Sequence, residues 1–183
     1  MTKTSSSAPV HRLALRVREM AQLFNSMDPT PFLYKDLDPE ANMFIETWAS
    51  GHPPNSRFHL TIHLQLWPEE GDPTGMLTEA IHNHFAYKAE QTRRALRHLL
   101  QQGRMSMAIG IIFVSSCLIA ADVIGDLGAG AGYRVARESL TIVGWVAMWR
   151  PLQIFLYDWW PLQRQTRLYL RLGSAHVQVV QGK

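Results

Sequence analysis

The sequence lacks most of the residues and motifs from which a chemical activity is usually recognised. It contains one cysteine, Cys117, so it forms no disulfide within the chain and holds no cysteine-bound cluster. It has no GxSxG, HExxH or CxxC motif and no pair of carboxylates on a plausible scaffold. We therefore predict no catalytic residue, no metal ligand and no cofactor, and we expect Cys117 to be a small, buried apolar side chain.

Charge is scarce in two long stretches of the chain. The composition as a whole, with 46% hydrophobic and 18% charged residues, is that of an ordinary soluble domain. The apolar residues are concentrated in residues 105–125 and 139–160, and the second window reaches spanning length only if it includes Arg150. A helix of either length would cross the ~30 Å hydrocarbon core of a bilayer. The sequence thus predicts two transmembrane helices, joined by an extracytoplasmic loop over residues 126–138.

Positive charge is scarce in that loop and common on the other two flanks. Basic residues precede the first span and follow the second: Lys88, Arg93, Arg94, Arg97, Arg104, Arg164, Arg167 and Arg171. Positively charged flanks remain in the cytoplasm, so both termini are predicted to be cytoplasmic. The N-terminal segment has no continuous apolar run, and we therefore expect no secretory signal.

The soluble part is predicted to be an α/β domain. Apolar and polar residues alternate in HRLALRVRE (11–19) and FHLTIHLQL (58–66), a pattern that is typical of half-buried strands. The predicted fold class is a mixed α/β cytoplasmic domain plus a two-helix transmembrane hairpin. Its expected segments are a flexible tail (1–9), a strand–helix–strand domain (10–74), an amphipathic helix leading to the membrane (75–104), and a cytoplasmic helix with a possible C-terminal strand (161–183).

The helix between the two strands has a clear beginning. Asp38 is the expected N-cap and Pro39 the first helical residue. We expect Phe44, Ile45 and Trp48 to lie together on the face that covers the strands.

Arg150 is the least expected residue of the second span. A lone arginine inside a bilayer costs from about 2.5 to more than 10 kcal/mol, so it needs partners or water. In an antiparallel hairpin counted from the span ends, it would lie opposite Ser115, Ser116 and Cys117, while Gln153 and Tyr157 share its own helix face. Asp158 would lie about 12 Å along the helix, too far for a direct pair. A partner subunit, a lipid phosphate or a water-filled cavity remains as its counterpart, and a packing role is favoured over transport or catalysis.

The ends of the spans offer lipid contacts rather than chemistry. Trp159 and Trp160 are predicted interfacial anchors, and Asp158 is expected to cap the helix that Pro161 begins. Six arginines recur at helix spacing beside the spans and are candidates for lipid headgroups: Arg93, Arg97, Arg104, Arg164, Arg167 and Arg171. The alternative is that these stripes are ordinary solvated helix faces.

The histidines do not form a recognisable metal site. His59 and His63 share a strand face but are about 13 Å apart at strand spacing, beyond the reach of one ion. His82 and His84 point to different sides of a helix.

Three segments, AQLFNSMDPTPF, DLDPEANMFIETWA and GWVAMWRPLQIFLYDWWPL, resemble an uncharacterised family of bacterial membrane proteins with a soluble segment, two spans and a short tail. The resemblance covers most of the chain, and its WRP…IFLYDWWP segment is the specific part. It implies a location in the bacterial inner membrane, and it brings no activity, cofactor or catalytic residue.

The function expected from these features is non-enzymatic assembly in the membrane. The partners would be membrane lipids and either further copies of the chain or a larger membrane complex, with no nucleic acid. The alternative is a membrane-tethered enzyme or sensor that binds a ligand on the polar strand face with His59, Thr61 and His63. A pocket at that face would favour the alternative, whereas an open, flat sheet would favour assembly. A transporter would need an oligomer, since two helices enclose no pathway.

Overall fold

The structure, a computed structural model, describes residues 9–68, 73–128 and 130–182. The predicted tail therefore lies outside the described residues, apart from Pro9. In chain order the elements are β1 (Val10–Val17), two 3-10 turns (Met20–Leu23 and Phe32–Tyr34), α1 (Pro39–Ser50), β2 (Arg57–Leu64), α2 (Pro73–Leu127), α3 (Ala131–Ala147), α4 (Trp149–Gln153), a π-helical turn (Ile154–Asp158), α5 (Trp159–Leu172) and β3 (His176–Gln181).

The chain divides into two compact units. Unit 1 comprises Met1–Thr92 and Arg164–Lys183, and unit 2 comprises Arg93–Gln163. Unit 2 is thus an insertion between the two segments of unit 1. The predicted amphipathic helix and the first apolar window form one continuous helix, α2, which belongs to unit 1 at its start and to unit 2 after Thr92.

Unit 1 contains a three-stranded sheet in the order β1-β2-β3, and both strand pairs are parallel. The mixed α/β class is confirmed, and the possible C-terminal strand is present and pairs with β2. In the register, Leu13 lies beside Leu60, and Leu60 beside Val177. The period-two alternation therefore aligns one apolar face across all three strands.

That apolar face forms the core of unit 1 with the helices. On β2, four alternate residues are buried: Phe58, Leu60, Ile62 and Leu64. The helices contribute the side chains of Ile45, Ala49, Leu77, Ala80, Ile81, Phe85, Leu168, Tyr169 and Leu172. Leu66, which continues the alternation, lies beyond the end of β2 and is 51% exposed.

Helix α1 begins as predicted. The Asp38 carboxylate accepts hydrogen bonds from the backbone N–H groups of Glu40 and Ala41, with Pro39 in the first turn. The buried face is narrower than expected, because Phe44 is 53% exposed while Ile45 is completely buried. The prediction that Phe44 covers the strands is therefore wrong. Consecutive helical residues are rotated by about 100°, so Phe44 lies to one side of the stripe centred on Ile45.

In unit 2 the second half of α2 packs against the returning chain through small residues. Three glycines lie close to the opposing chain. A Cβ atom at Gly103 would lie 2.8 Å from Ile154 Cγ2, and one at Gly110 would lie 2.9 Å from Met148 Sδ. On the returning chain, a Cβ atom at Gly144 would lie 3.3 Å from Cys117 Cβ. Residues 103, 110 and 117 are seven apart, which keeps them on one seam of a helix pair. The small side chains allow the two backbones to approach closely.

This register differs from the one predicted by counting from the span ends. Cys117 faces Gly144, and Pro151 lies near Gly110, so Arg150 is level with neither Ser115 nor Ser116. The shift is about one helical turn or slightly more. The small residues set the register, and the sequence ends of the apolar windows do not. Residues 131–138 were expected in a loop but are helical. The expectation came from hydropathy, which reports the polarity of a segment and not its backbone conformation.

Both helical stretches of this pair, Pro73–Leu127 and Ala131–Leu172, contain a window long and apolar enough to cross a membrane. Only 17% of each window is buried within the protein. The helices of a soluble core would be mostly buried, so the apolar surface of unit 2 faces outward.

The close approach of Gly144 to Cys117 predicts a disulfide. In the variant Gly144→Cys, two Cβ atoms about 3.3 Å apart would be just short of the usual ~3.5–4.5 Å, a difference that a small backbone adjustment absorbs. We expect rapid intramolecular oxidation with copper phenanthroline, detected as a linked peptide by mass spectrometry. Val143→Cys is the matched control, because Val143 is 50% exposed on a neighbouring side of α3. Equal cross-linking of the two variants would contradict this register.

Candidate functional site

The second face of the sheet in unit 1 carries the polar side chains that the alternation predicts. The outward residues of the strands are Val10, Arg12, Ala14, Arg16, Arg57, His59, Thr61, His63, His176, Gln178 and Val180. None of them is acidic. Parallel sheets are usually covered on both faces, so a polar face that remains partly exposed is a distinctive feature of this fold.

The parallel register assembles this face into cross-strand rows. Arg12, His59 and His176 form one row, and Arg16 and His63 belong to another. The His59 and His176 rings are 5.0 Å apart between centroids. Sequence reasoning placed His59, Thr61 and His63 on one face, which the register confirms, but it missed His176.

Two open depressions flank this face. One, of about 260 Å³, is lined by Arg16, His63, Gln65 and Gly182. The other, of about 310 Å³, lies at the opposite end, where β2 and β3 begin. The middle of the face, at Thr61, lines neither of them. Within the described ranges, no three His, Cys, Asp or Glu side chains come together as a metal site would require.

A second polar cluster lies between α1, α2 and α5, and it was not predicted. His84 is 8% exposed, and its Nε2 lies 3.1 Å from Asn42 Oδ1. Its Nδ1 accepts a hydrogen bond from the Leu37 backbone N–H at 3.3 Å and lies 3.0 Å from Asp36 Oδ1. Burial and the nearby Lys88 ammonium lower the pKa of His84, against the opposing effect of Asp36. A neutral imidazole with hydrogen on Nε2 donates to Asn42 and accepts from Leu37, whereas hydrogen on Nδ1 would donate to Asp36 instead.

The cluster continues through charged groups to α5. Lys88 donates to Asn42 Oδ1 at 3.0 Å and forms an ion pair with Glu46. The Tyr169 hydroxyl donates to Glu46 Oε2 at 3.2 Å, and burial together with this carboxylate raises the pKa of Tyr169. The network joins three helices and leaves His84 little access to solvent, so it fits a structural role better than a catalytic one.

A weak signal for this cluster was present in the sequence. Asn42 and Glu46 are four residues apart beside the buried Ile45, and His84 and Lys88 are four apart beside the buried Phe85. Residues four apart share a helix face, so two polar pairs lie at the edges of two apolar stripes. The local pattern does not predict that α1 and α2 pack together and so bring the two pairs into contact.

In unit 2, Arg150 has a carboxylate partner within the chain. Its Nη1 donates to Asp158 Oδ2 at 3.4 Å. The prediction that Asp158 is too far for a direct pair is therefore wrong. Arg150 is 59% exposed and Asp158 27% exposed in their side chains, so the pair lies at the surface of the helix.

The π-helical turn between these residues explains the error. In a regular α-helix, residues eight apart are rotated by about 80° and separated by about 12 Å. The turn Ile154–Asp158 holds one extra residue, which rotates Asp158 back by about 100° and shortens the distance along the axis. Asp158 thereby comes onto the side of Arg150. Pro151, which lacks a backbone N–H, lies just before this irregular segment.

The other residues predicted near Arg150 have different surroundings. Ser116 donates to the Ile112 carbonyl of its own helix at 2.9 Å, and Ser115 is exposed. Gln153 is half-buried, and Tyr157 is 70% exposed. The structure does not assemble these residues into a site around Arg150, and their contact with a partner stays a prediction.

The predicted anchors lie at the end of the same segment. The Trp159 indole N–H donates to the Phe155 carbonyl at 2.8 Å, so Trp159 satisfies a carbonyl in the π-helical turn. Trp160 is 65% exposed. The chain stays helical from the π turn into α5, so Asp158 does not cap a new helix at Pro161.

The arginine stripes differ in their accessibility. Arg93, Arg97, Arg104, Arg164 and Arg167 are exposed. Arg171 is half-buried in unit 1, where Nη1 donates to the Pro53 carbonyl at 2.9 Å and the guanidinium lies 5.1 Å from the centre of the Phe58 ring. The helical spacing of the arginines did not predict this packing role of Arg171. Lipid binding by the exposed arginines stays a prediction.

The lowered pKa of His84 predicts a pH-dependent stability of unit 1. The unfolded chain takes up a proton near the ordinary pKa of 6.5, whereas the folded chain resists protonation until lower pH. The stabilisation that the neutral His84 gives to the folded domain is complete above about pH 6.5. It is lost as the pH falls from there toward the lower pKa of His84 in the folded chain. Hydrogen exchange of α1 and β2 amides, corrected for intrinsic rates, should show this loss between pH 7.5 and 5.5. The variant His84→Gln should flatten the pH dependence, and His98→Gln, at an exposed position, should not.

Comparison with known proteins does not assign the chain to a family. No family model, no curated protein and no solved structure matches it significantly. The resemblance to an uncharacterised two-span family stays a prediction.

Proposed function

We propose that the chain is an integral membrane protein in which unit 2 spans the bilayer as a hairpin and unit 1 acts as a non-enzymatic assembly module. The observation that carries the membrane part is the 17% burial of both apolar windows. Their outward side chains include Ile109, Ile112, Ile119, Ile142, Val146 and Trp149, each more than 60% exposed. Contiguous apolar surface on this scale is unfavourable in water and is stable in hydrocarbon.

The topology of unit 1 supports an even number of crossings. Its two segments, before and after unit 2, build one sheet and one core. The chain must therefore enter and leave the membrane on the same side. The basic flanks favour the cytoplasm for that side, and the resemblance to bacterial proteins favours the inner membrane.

The pairing of Arg150 with Asp158 makes the second span more acceptable to a bilayer. A carboxylate 3.4 Å from the guanidinium neutralises much of its charge. The pair extends along the helix toward the tryptophans at its end, where long side chains reach the lipid headgroups.

The proposed topology predicts an asymmetric labelling pattern. In a Cys117→Ser background, single cysteines at Asn55 in unit 1 and Gly132 between the spans should respond differently to an impermeant maleimide on intact spheroplasts. Only Gly132→Cys should be labelled, and Asn55→Cys should require permeabilisation. Both positions are exposed, so intrinsic accessibility does not distinguish them. Labelling of both sites in intact spheroplasts would refute the proposed topology.

The open sheet face supports the assembly part of the proposal. Neither of the two depressions reaches the middle of the face at Thr61, which favours docking over the alternative of an enzyme or ligand sensor. Its outward strand residues include three arginines and no carboxylate, so two copies of the face repel each other. The complementary surface is an acidic polypeptide segment that supplies the missing layer over the parallel sheet. It belongs to another subunit of a membrane complex or to a different region of a second copy.

Charge reversal on this face should dissociate the assembly. After gentle extraction of the native protein, we expect a particle larger than the chain alone, and Arg12→Glu should reduce its mass in native mass spectrometry. The matched control is Arg134→Glu, which makes the same charge change at an exposed position of α3. An unchanged mass for Arg12→Glu, or an equal loss in both variants, would contradict docking through the sheet face.

A further inference from the structure

The depression of about 310 Å³ at the start of β2 and β3 has an unusual lining. Four basic side chains border it: Arg57, His59, Arg171 and His176. Ser56 adds a hydroxyl group, whereas the Ser174 hydroxyl already donates to the Leu170 carbonyl at 3.1 Å, and no acidic side chain belongs to the lining. The volume is at the lower end of the ~300–1,000 Å³ range of small-molecule sites.

Ser56 has a buried hydroxyl that the protein itself does not satisfy. The residue is 2% exposed, and its Oγ has no hydrogen-bond partner within the described part of the chain. A turn closed by the Ser56 N–H and the Pro53 carbonyl fixes its backbone just before β2. Buried hydroxyl groups are normally paired, so an unpaired one at the wall of a depression indicates a ligand contact.

Two further unpaired atoms occur in the same corner of unit 1. The His11 and His52 rings stack with 3.9 Å between centroids, and their Nε2 atoms are buried without a partner among the residues described. The His52 ring centre lies 6.2 Å from that of Phe58, which also lines the depression. The orphaned polar atoms of the described chain are therefore concentrated here.

Arg171 brings a charge that no carboxylate of the described residues compensates. Its contacts are the Pro53 and Arg167 carbonyls and the Phe58 ring, all of them neutral groups. Burial and the neighbouring Arg164 lower the pKa of Arg171, because both disfavour the charged form of its guanidinium group. Arg57 has no carboxylate within ion-pair distance in the described structure either. Like charges gathered in this way are stabilised by an anion.

We propose that this corner is a binding site for the phosphate group of a phosphate monoester. A tetrahedral dianion presents several acceptor oxygens in different directions, which matches donors that come from β2, β3, α5 and the turn before β2. Arginine forks and hydroxyl groups are the usual partners of such oxygens. A carboxylate has two oxygens in one plane and leaves part of this donor set unpaired.

The site also joins the two segments of unit 1. Ser56, Arg57 and His59 precede the inserted unit, whereas Arg171 and His176 follow it. A ligand held by both segments binds the folded domain and not the unfolded chain, so it stabilises the closed sheet. This inference uses only side chains of unit 1 and does not rest on the membrane topology. Arg57, His59 and His176 also belong to the sheet face proposed for docking, so the two proposals share residues and are tested with different variants.

The test measures binding of inorganic phosphate and of glycerol 3-phosphate to the full chain in phosphatidylcholine nanodiscs. We expect saturable binding and a phosphate-dependent rise in the melting temperature. Arg57→Gln should weaken binding about tenfold or more, as the loss of a charge-assisted hydrogen bond does. Arg16→Gln is the matched control, because it removes an arginine from the depression at the other end of the same sheet. It should leave phosphate binding unchanged even where it weakens docking.

Ser56→Ala provides a second readout that guards against simple misfolding. The variant removes a hydroxyl that is buried and unpaired without ligand, so the phosphate-free protein should melt at the same temperature or higher. Its affinity for phosphate should fall about two- to tenfold. A lower melting temperature without phosphate, together with unchanged phosphate affinity, would overturn the role of Ser56 as a ligand contact.

The source of the phosphate is distinguished by adding phosphatidic acid to the nanodiscs. Competition by the lipid against soluble phosphate would identify a headgroup as the ligand, whereas unchanged binding would identify a soluble monoester. The absence of saturable binding to all three probes, or equal affinities of Arg57→Gln and the wild type, would overturn the proposal.

Discussion

Strands β2 and β3 lie side by side and run in the same direction, so the chain between them has to return to the end of the sheet at which β2 began. In most parallel sheets a single helix makes this connection. Here the connection contains all of unit 2 and two helical windows with little burial. The pairing of two short strands thus depends on the chain coming back after a long apolar insertion.

Local patterns in the sequence were sufficient for the elements of unit 1. Period-two alternation identified β1 and β2, and the Asp38–Pro39 pair identified the start of α1. The polar face with His59 and His63 followed from the same alternation. The position of His176, the third member of the row with Arg12 and His59, did not, because it depends on the parallel pairing of a strand more than a hundred residues away.

The contacts of unit 2 were less predictable, since they depend on how a helix departs from regular geometry. Counting residues at α-helical spacing separated Arg150 from Asp158, and one π-helical turn brings them together. Counting from the ends of the apolar windows misplaced the register, which the glycines at 103, 110 and 144 determine by close backbone approach. In both cases the controlling feature is a local deviation that hydropathy and periodicity average away.

The divided sequence of unit 1 also has a consequence for its biosynthesis. The ribosome releases β1, α1 and β2 first, whereas Leu168, Leu172 and Val177 emerge only after the entire inserted unit. Until then, one edge of β2 is unpaired and part of its apolar face is uncovered. The nascent domain therefore keeps an open strand edge, with which other strands can pair, until the inserted unit has been synthesised and β3 is in place.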